Sequence, residues 1–165
     1  SKDAYWIPEI RTGEGFRIKA RNFERSFYNG TCIDGLRLFS RKVLEKTGGY
    51  DEELFAAEDW DLDLRVLDAH FSCDSLEGNL IHNEKSTSLR KMLSKKSYYA
   101  GSFGKYKTKW HGRKEVKQQF SFFYRFFGVF FEKGKWKKVL SHPLLFSYVF
   151  FERLLVGTVY ILRQV

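Results

Sequence analysis

Between Gly48 and Arg65 the chain reads GGYDEELFAAEDWDLDLR, which places seven carboxylates in one short stretch. The whole chain holds 29 Lys and Arg against 20 Asp and Glu, so this local acidity runs against the bulk charge. From Glu58 the spacing of Trp60, Leu64 and Leu67 is helical, and Asp61 and Arg65 stand four apart, where they can pair on a helix surface. Two chemistries fit. Acids in the first turn of a helix are stabilised by its dipole, by about 0.3–1 kcal/mol each, so Asp59 and Asp61 suit a capped, solvated helix start. The same position also suits an acidic group held at the rim of a cleft. A carboxylate within hydrogen-bond reach of a hydroxyl there can take its proton. Spacing alone leaves both readings open.

The elements that must position these acids can be read from the flanks. Ser40 precedes RKVLEKT, a short helix that should stop at Gly48 and Gly49, where a left-handed C-terminal cap wants glycine. Ile18 to Tyr28 reads as a helix with Ala20, Phe23 and Phe27 on one face, and Gly13 and Gly15 before it read as a loop. FSCDSLEGNLIH reads as short strands about a Gly78–Asn79 turn, and a basic helix is expected from about Ser86 to Tyr99.

Beyond residue 112 the composition changes. FSFFYRFFGVFF (120–131) is aromatic nearly all round a helix. LLFSYVFFERLLVGTVYIL (144–162) is long enough to consider as a membrane span, but Glu152 and Arg153 fall at its centre. Charges there cost about 2.5–3.5 kcal/mol each on insertion scales. With the basic EKGKWKK between them, the two blocks suit a helical tail lying on an anionic membrane surface. They equally suit a hydrophobic helical pair packed on the parent domain or another subunit.

A net charge of +9 over 165 residues points to anionic partners, and the length allows one ordinary core. From Arg90 to Lys117 ten cations interleave with Tyr98, Tyr99, Phe103, Tyr106 and Trp110, against Glu115 alone as an acid. In isolation this fits a basic-aromatic nucleic-acid-binding module without catalytic activity, in which rings stack on bases. No helix-turn-helix, zinc spacing or RNA-binding signature accompanies it, and the Phe-rich tail has little use in such a protein. Cys32 and Cys73 form no framework and suit a reducing compartment, with one disulfide left open. Ser1 is no initiator and the only Met is Met92, so a C-terminal portion of a longer polypeptide is expected.

The order of these features carries a resemblance. RLFSRKVLEKTGGYDEELFAAEDWDLDLR (37–65), continued by LIHNEKSTSLRK (80–91), resembles the acceptor-side half of family 2 glycosyltransferases, inverting enzymes of the GT-A fold. The likeness covers about residues 30–110 well and the tails loosely. It implies an α/β fold: residues 1–112 as the C-terminal half of a GT-A catalytic domain without its donor-binding half, and 113–165 as a helical, aromatic-rich tail for membrane association or packing. It further implies sugar transfer from a nucleotide-sugar donor to a hydroxyl of a glycan or lipid-linked acceptor, as in polysaccharide biosynthesis, with this chain alone inactive. The family's base maps to Asp59, with Glu58 as its orienting neighbour or an acceptor contact. Gly48, Gly49, Trp60 and His82 are candidate substrate contacts, Trp60 having core packing as its other reading. The implied cofactor is Mg²⁺ or Mn²⁺, held mainly by the missing half, with His82 a candidate ligand. The letters Asp61-Leu62-Asp63 are no metal motif, because alternate residues of a helix point apart. The implied location is the cytoplasm, peripheral to the inner face of the cell membrane, with nucleic acid not a partner.

Overall fold

The computed structural model describes residues 2–83, 89–100 and 103–164. Its architecture is mixed α/β, with short strands in the first half and helices throughout. Strands β1 (Ala4–Trp6) and β2 (Glu9–Thr12) lead into helix α1 (Phe16–Arg25). Strand β3 (Leu36–Phe39) is followed by α2 (Arg41–Thr47) and α3 (Glu58–Asp68), then β4 (Cys73–Ser75) and β5 (Leu80–Asn83).

Helix α2 has the expected limits. Ser40 is its N-cap residue, but its buried hydroxyl has no hydrogen bond among the described residues, and Gly48 closes it at φ 77°, conformational space that glycine enters at no steric cost. Helix α1 starts two residues earlier than the apolar spacing suggested. Phe27 lies beyond its end, yet is fully buried in the same cluster as Ala20 and Phe23.

The strands around Gly78 exist but do not pair with each other. β4 runs parallel to β1, and β5 runs parallel to β2, so residues 73–83 track residues 4–12 as one ribbon. The partners lie some seventy residues upstream, a distance that local turn signals cannot reveal. β3 pairs antiparallel with β1 on the other side. Its register slips between Tyr5 and Trp6, which face Leu38 and Leu36, so Arg37 is an extra residue bulged out of the ladder.

The helices that follow are α4 (Leu89–Ala100), α5 (Phe103–Lys109) and α6 (Lys114–Phe120). A π-helical turn (Tyr124–Gly128), α7 (Val129–Phe131), a 3₁₀ turn (Glu132–Gly134), α8 (Trp136–Ser141) and α9 (Pro143–Gln164) complete the tail. The basic helix expected from Ser86 is α4 from Leu89; residues 84–88 lie outside the described residues.

Three apolar clusters hold the molecule. Ala4, Leu36, Val43, Leu62 and Val66 join the three-stranded sheet to α2 and α3. Leu54, Leu64, Tyr106 and Val116 join α3 to α5 and α6. The third joins Phe23, Phe27 and Ile33 to Val129, Phe130, Val139 and Val149, so the tail shares a core with α1. Trp60 packs against both of the last two.

Glu152 and Arg153, at the centre of the apolar α9, point inward. Arg17 Nε donates to Glu152 Oε1 at 3.1 Å, and Arg153 Nε donates to Glu24 Oε1 at 2.8 Å. Tyr28 OH adds a bond to Glu24 and accepts one from Arg153. The two charges that argued against a membrane span thus dock α9 on α1. Among the described residues no helix is long and apolar enough to cross a membrane.

Candidate active site

Asp59 sits in the first turn of α3, where the dipole favours a carboxylate. The turn is entered through Ala57 at φ 68°, a left-handed conformation that costs an L-residue about 1–2 kcal/mol. Strain of this kind persists where the surroundings over-determine the backbone, and here it sets the direction in which Glu58 and Asp59 leave the loop.

Arg37 Nη1 donates to Asp59 Oδ2 at 2.6 Å. Arg37 is the residue bulged out of the β1–β3 ladder. Gly35 makes room on the other side: a Cβ there would stand 3.1 Å from Asp59 Cβ. Asp59 keeps 31% of its side chain exposed, and its Oδ1 has no hydrogen bond among the described residues. One oxygen is pinned and the other is presented.

Arg37 also reaches Glu9 at 4.0 Å, and Glu9 holds Arg25 and the Nε2 of His82. His82 comes from β5 and Glu9 from the neighbouring β2, so the parallel ladder brings them together. His82 and Asp59, expected in one site, are therefore joined through Glu9 and Arg37. Glu58 is partly exposed beside Asp59, with no hydrogen bond or ion pair among the described residues.

Two further acids lie beneath. Asp63, one turn after Asp59 on the same face of α3, is buried and accepts the Leu36 N–H on both oxygens, at 3.0 and 3.2 Å. Burial, and then the charges of Asp59 and Asp34, lift its pKa from 3.8 to about 8, against the opposing Leu36 bond and Arg37. Asp34 accepts the N–H groups of Gly30 and Gly35, and burial raises its pKa too.

Asp61 is on the opposite face and corrects the expectation of a surface pair with Arg65. It is fully buried. Arg65 and Trp110 donate to it at 2.9 and 2.7 Å, and Lys109 Nζ lies 2.8 Å away. As the helical geometry required, Asp61 and Asp63 diverge, and among the described residues no group of three His, Cys, Asp or Glu is placed to hold a metal. His82 has Glu9 beside it but no third such residue, so the described residues do not form a metal site.

Gly48 and Gly49 form a left-handed turn, at φ 77° and 73°. Arg65 Nη2 donates to the Gly49 carbonyl at 2.6 Å, which ties the turn to the Asp61 side of α3. The next residue, Tyr50, returns to the site: partial desolvation and then the Asp59 charge raise its pKa. Trp60 donates its indole N–H to the Ile33 carbonyl at 3.1 Å and stacks on Phe103.

Sequence reasoning missed Arg37, Glu9, Gly35, Asp34 and Asp63 as participants. Arg37 and Asp63 lie inside the quoted motif, but neither a bulge nor a buried carboxylate leaves a local signal.

The rings of the basic stretch do not form a stacking platform. Tyr106 is fully buried, Trp110 is bonded to Asp61, Phe103 packs on Trp60, and only Tyr98 is exposed, at 63%. Several of its cations are engaged: Lys109 with Asp51, Lys105 with Glu53, and Arg113 with Asp68.

The family model described as "Glycosyltransferase like family 2" matches residues 33–130, more than half of the chain and all of the Asp59 helix. No curated protein and no solved structure matches the chain.

Proposed function

Because the chain belongs to the glycosyltransferase-like family 2, we propose that it carries the acceptor side of an inverting transfer from a nucleotide sugar to a hydroxyl of a glycan or lipid-linked acceptor. The mixed α/β architecture is consistent with a GT-A fold. In this reading Asp59 is the base. The acceptor oxygen attacks the anomeric carbon, its proton passes to Asp59, and the bond from that carbon to the nucleoside diphosphate breaks. The observation that supports this best is the divided carboxylate. Arg37 holds Oδ2 and orients the group, while Oδ1 stays open to a hydroxyl. Glu58 and Tyr50 stand beside it as acceptor contacts.

His82, carried on Glu9 and half-exposed, is assigned to the leaving diphosphate. The divalent cation implied by the family would take most of its ligands from outside the described residues. The tail is assigned to the membrane surface. Phe122, Phe123 and Phe127 form a connected, exposed aromatic group, and Trp136, Leu140 and Leu144 are exposed nearby in sequence, among the lysines of 133–138.

In the full-length enzyme Asp59→Asn should lower transfer by about 10²–10⁴-fold while nucleotide-sugar binding is kept. Near-normal turnover would remove Asp59 from the mechanism.

A further inference from the structure

Glu9 stands in β2 with only 8% of its side chain exposed, yet it meets basic groups from three other elements. Its Oε2 holds Arg25 of α1, and its Oε1 faces the Nε2 of His82 in β5. Arg37 of β3 brings Nη2 to 4.0 Å from Oε2, while its Nη1 donates to Asp59. One guanidinium therefore lies between two carboxylates. Glu9 is outside residues 33–130, which the family model matches, and the transfer proposed for Asp59 gives it no role.

Backbone contacts hold the strand without that charge. β2 pairs with β5 over four residues. Asn22 of α1 clasps Arg11, two residues on, accepting from its N–H and donating to its carbonyl, both at 2.9 Å. A buried ion cluster is also weak evidence for stability, since apolar groups of the same volume often serve as well. Positioning is the better account. Arginine is long and rich in rotamers, and a single bond to Asp59 fixes only one end of its fork. The fork is rigid and planar, so a second carboxylate beside Nη2 fixes where Nη1 points. Arg25 and His82 in turn hold the two oxygens of Glu9.

We infer that Glu9 is a positioning residue of the transfer site, acting through Arg37 on the orientation of Asp59. The inference rests on the transfer reading, in which Asp59 takes the acceptor proton. Glu9 acts at one remove. Its charge sets the rotamer of the arginine that grips Oδ2, and so the direction in which Oδ1 is presented. A misplacement on the order of 1 Å at such a group costs about 10²-fold in rate.

The test follows transfer by the full-length enzyme with a panel of UDP- and GDP-sugars, Asp59→Asn marking the turnover that the base supplies. Glu9→Gln should lower kcat about tenfold or more. In the His82→Ala background it should cost as much again. In the Arg37→Gln background it should cost less than about threefold, because the route is already cut. A role in the fold alone would cost the same in both backgrounds. Glutamine leaves Arg25 buried without its carboxylate, so Glu9→Gln is also made together with Arg25→Met. Removing both partners of a buried pair is nearly neutral for stability, so this double variant should melt close to wild type and show the same loss of kcat. A normal kcat in the Glu9 variants, with Asp59→Asn inactive, would overturn the inference and leave the transfer reading standing. An equal loss in the Arg37→Gln background would do the same. Turnover indifferent to Asp59→Asn, or none with any sugar of the panel, would overturn both.

Discussion

Asp63→Asn isolates the buried carboxyl beneath Asp59. In the folded protein Asp63 keeps its proton up to about pH 8, whereas its ordinary value is 3.8. Between these values the folded state binds a proton that the unfolded state has lost. Stability therefore falls as pH rises, by about 1.4 kcal/mol per pH unit from this group. The penalty is absent below about pH 4, grows through the window, and levels off above about pH 8. Asparagine cannot ionise and still offers an oxygen to the Leu36 N–H. The stability of Asp63→Asn relative to wild type should thus rise by up to about 4 kcal/mol between pH 5 and pH 8. Urea unfolding of both proteins at each pH unit in that range reads this difference directly. The range avoids Glu24, whose buried carboxyl is held down at about 2 despite burial, chiefly by Arg153. From its ordinary 4.5, Glu24 contributes stability that is lost only as pH falls towards 2. A difference that stays flat from pH 5 to pH 8 would refute the reasoning, because Asp63 would then be ionised in the fold and sharing Arg37 with Asp59.

Gly35→Ala places a methyl 3.1 Å from Asp59 Cβ, so Asp59 must shift by a few tenths of an ångström. Turnover in the full-length enzyme should fall roughly tenfold with the donor KM unchanged, and an unaltered kcat would show that the site tolerates the shift. Arg153→Met leaves Glu24 buried without its main partner and should cost about 3–5 kcal/mol, a melting-temperature loss on the order of 10 °C. Adding Glu24→Gln should recover much of it, and a single variant that melts like wild type would show the pair to be dispensable. Liposomes rich in anionic lipid should bring down the protein in a salt-sensitive manner, and Lys133→Ala with Lys137→Ala should weaken this about tenfold or more. Cosedimentation indifferent to salt and to those lysines would assign the apolar tail surface to protein packing.

Local chemistry was legible wherever a short stretch decides the outcome. Gly48 ends α2 because glycine enters the left-handed region freely, and α3 begins at Glu58 where the acids gather. What could not be read were pairings across the chain. Residues 73–75 and 80–83 were recognisable as strands, but their partners are Ala4–Trp6 and Glu9–Thr12. That parallel ladder, invisible to a turn-based reading, is what puts His82 on Glu9. Arg37 was hidden for a different reason. It pairs with Asp59 across 22 residues of sequence, and the register slip at its position is set by the pairing of β1 with β3.

The acidity of α3 in a basic chain now has a physical account. A helix turns by about 100° per residue, so Asp59 and Asp63 share one face while Asp61 points away. Two ionised carboxylates a turn apart repel, and Arg37 reaches that face from β3. Burial raises the Asp63 pKa to about 8, and Arg37 donates to Asp59. Asp61 is answered separately, by Arg65 within α3 and by Lys109 and Trp110 at the end of α5. The three aspartates are thus one half-open carboxyl held by Arg37, one buried carboxyl answered on both oxygens, and one buried carboxyl on the Leu36 N–H. A helix capped merely for solubility has no need of that division. The division suits the proposed transfer, in which one carboxylate oxygen must stay open to a hydroxyl.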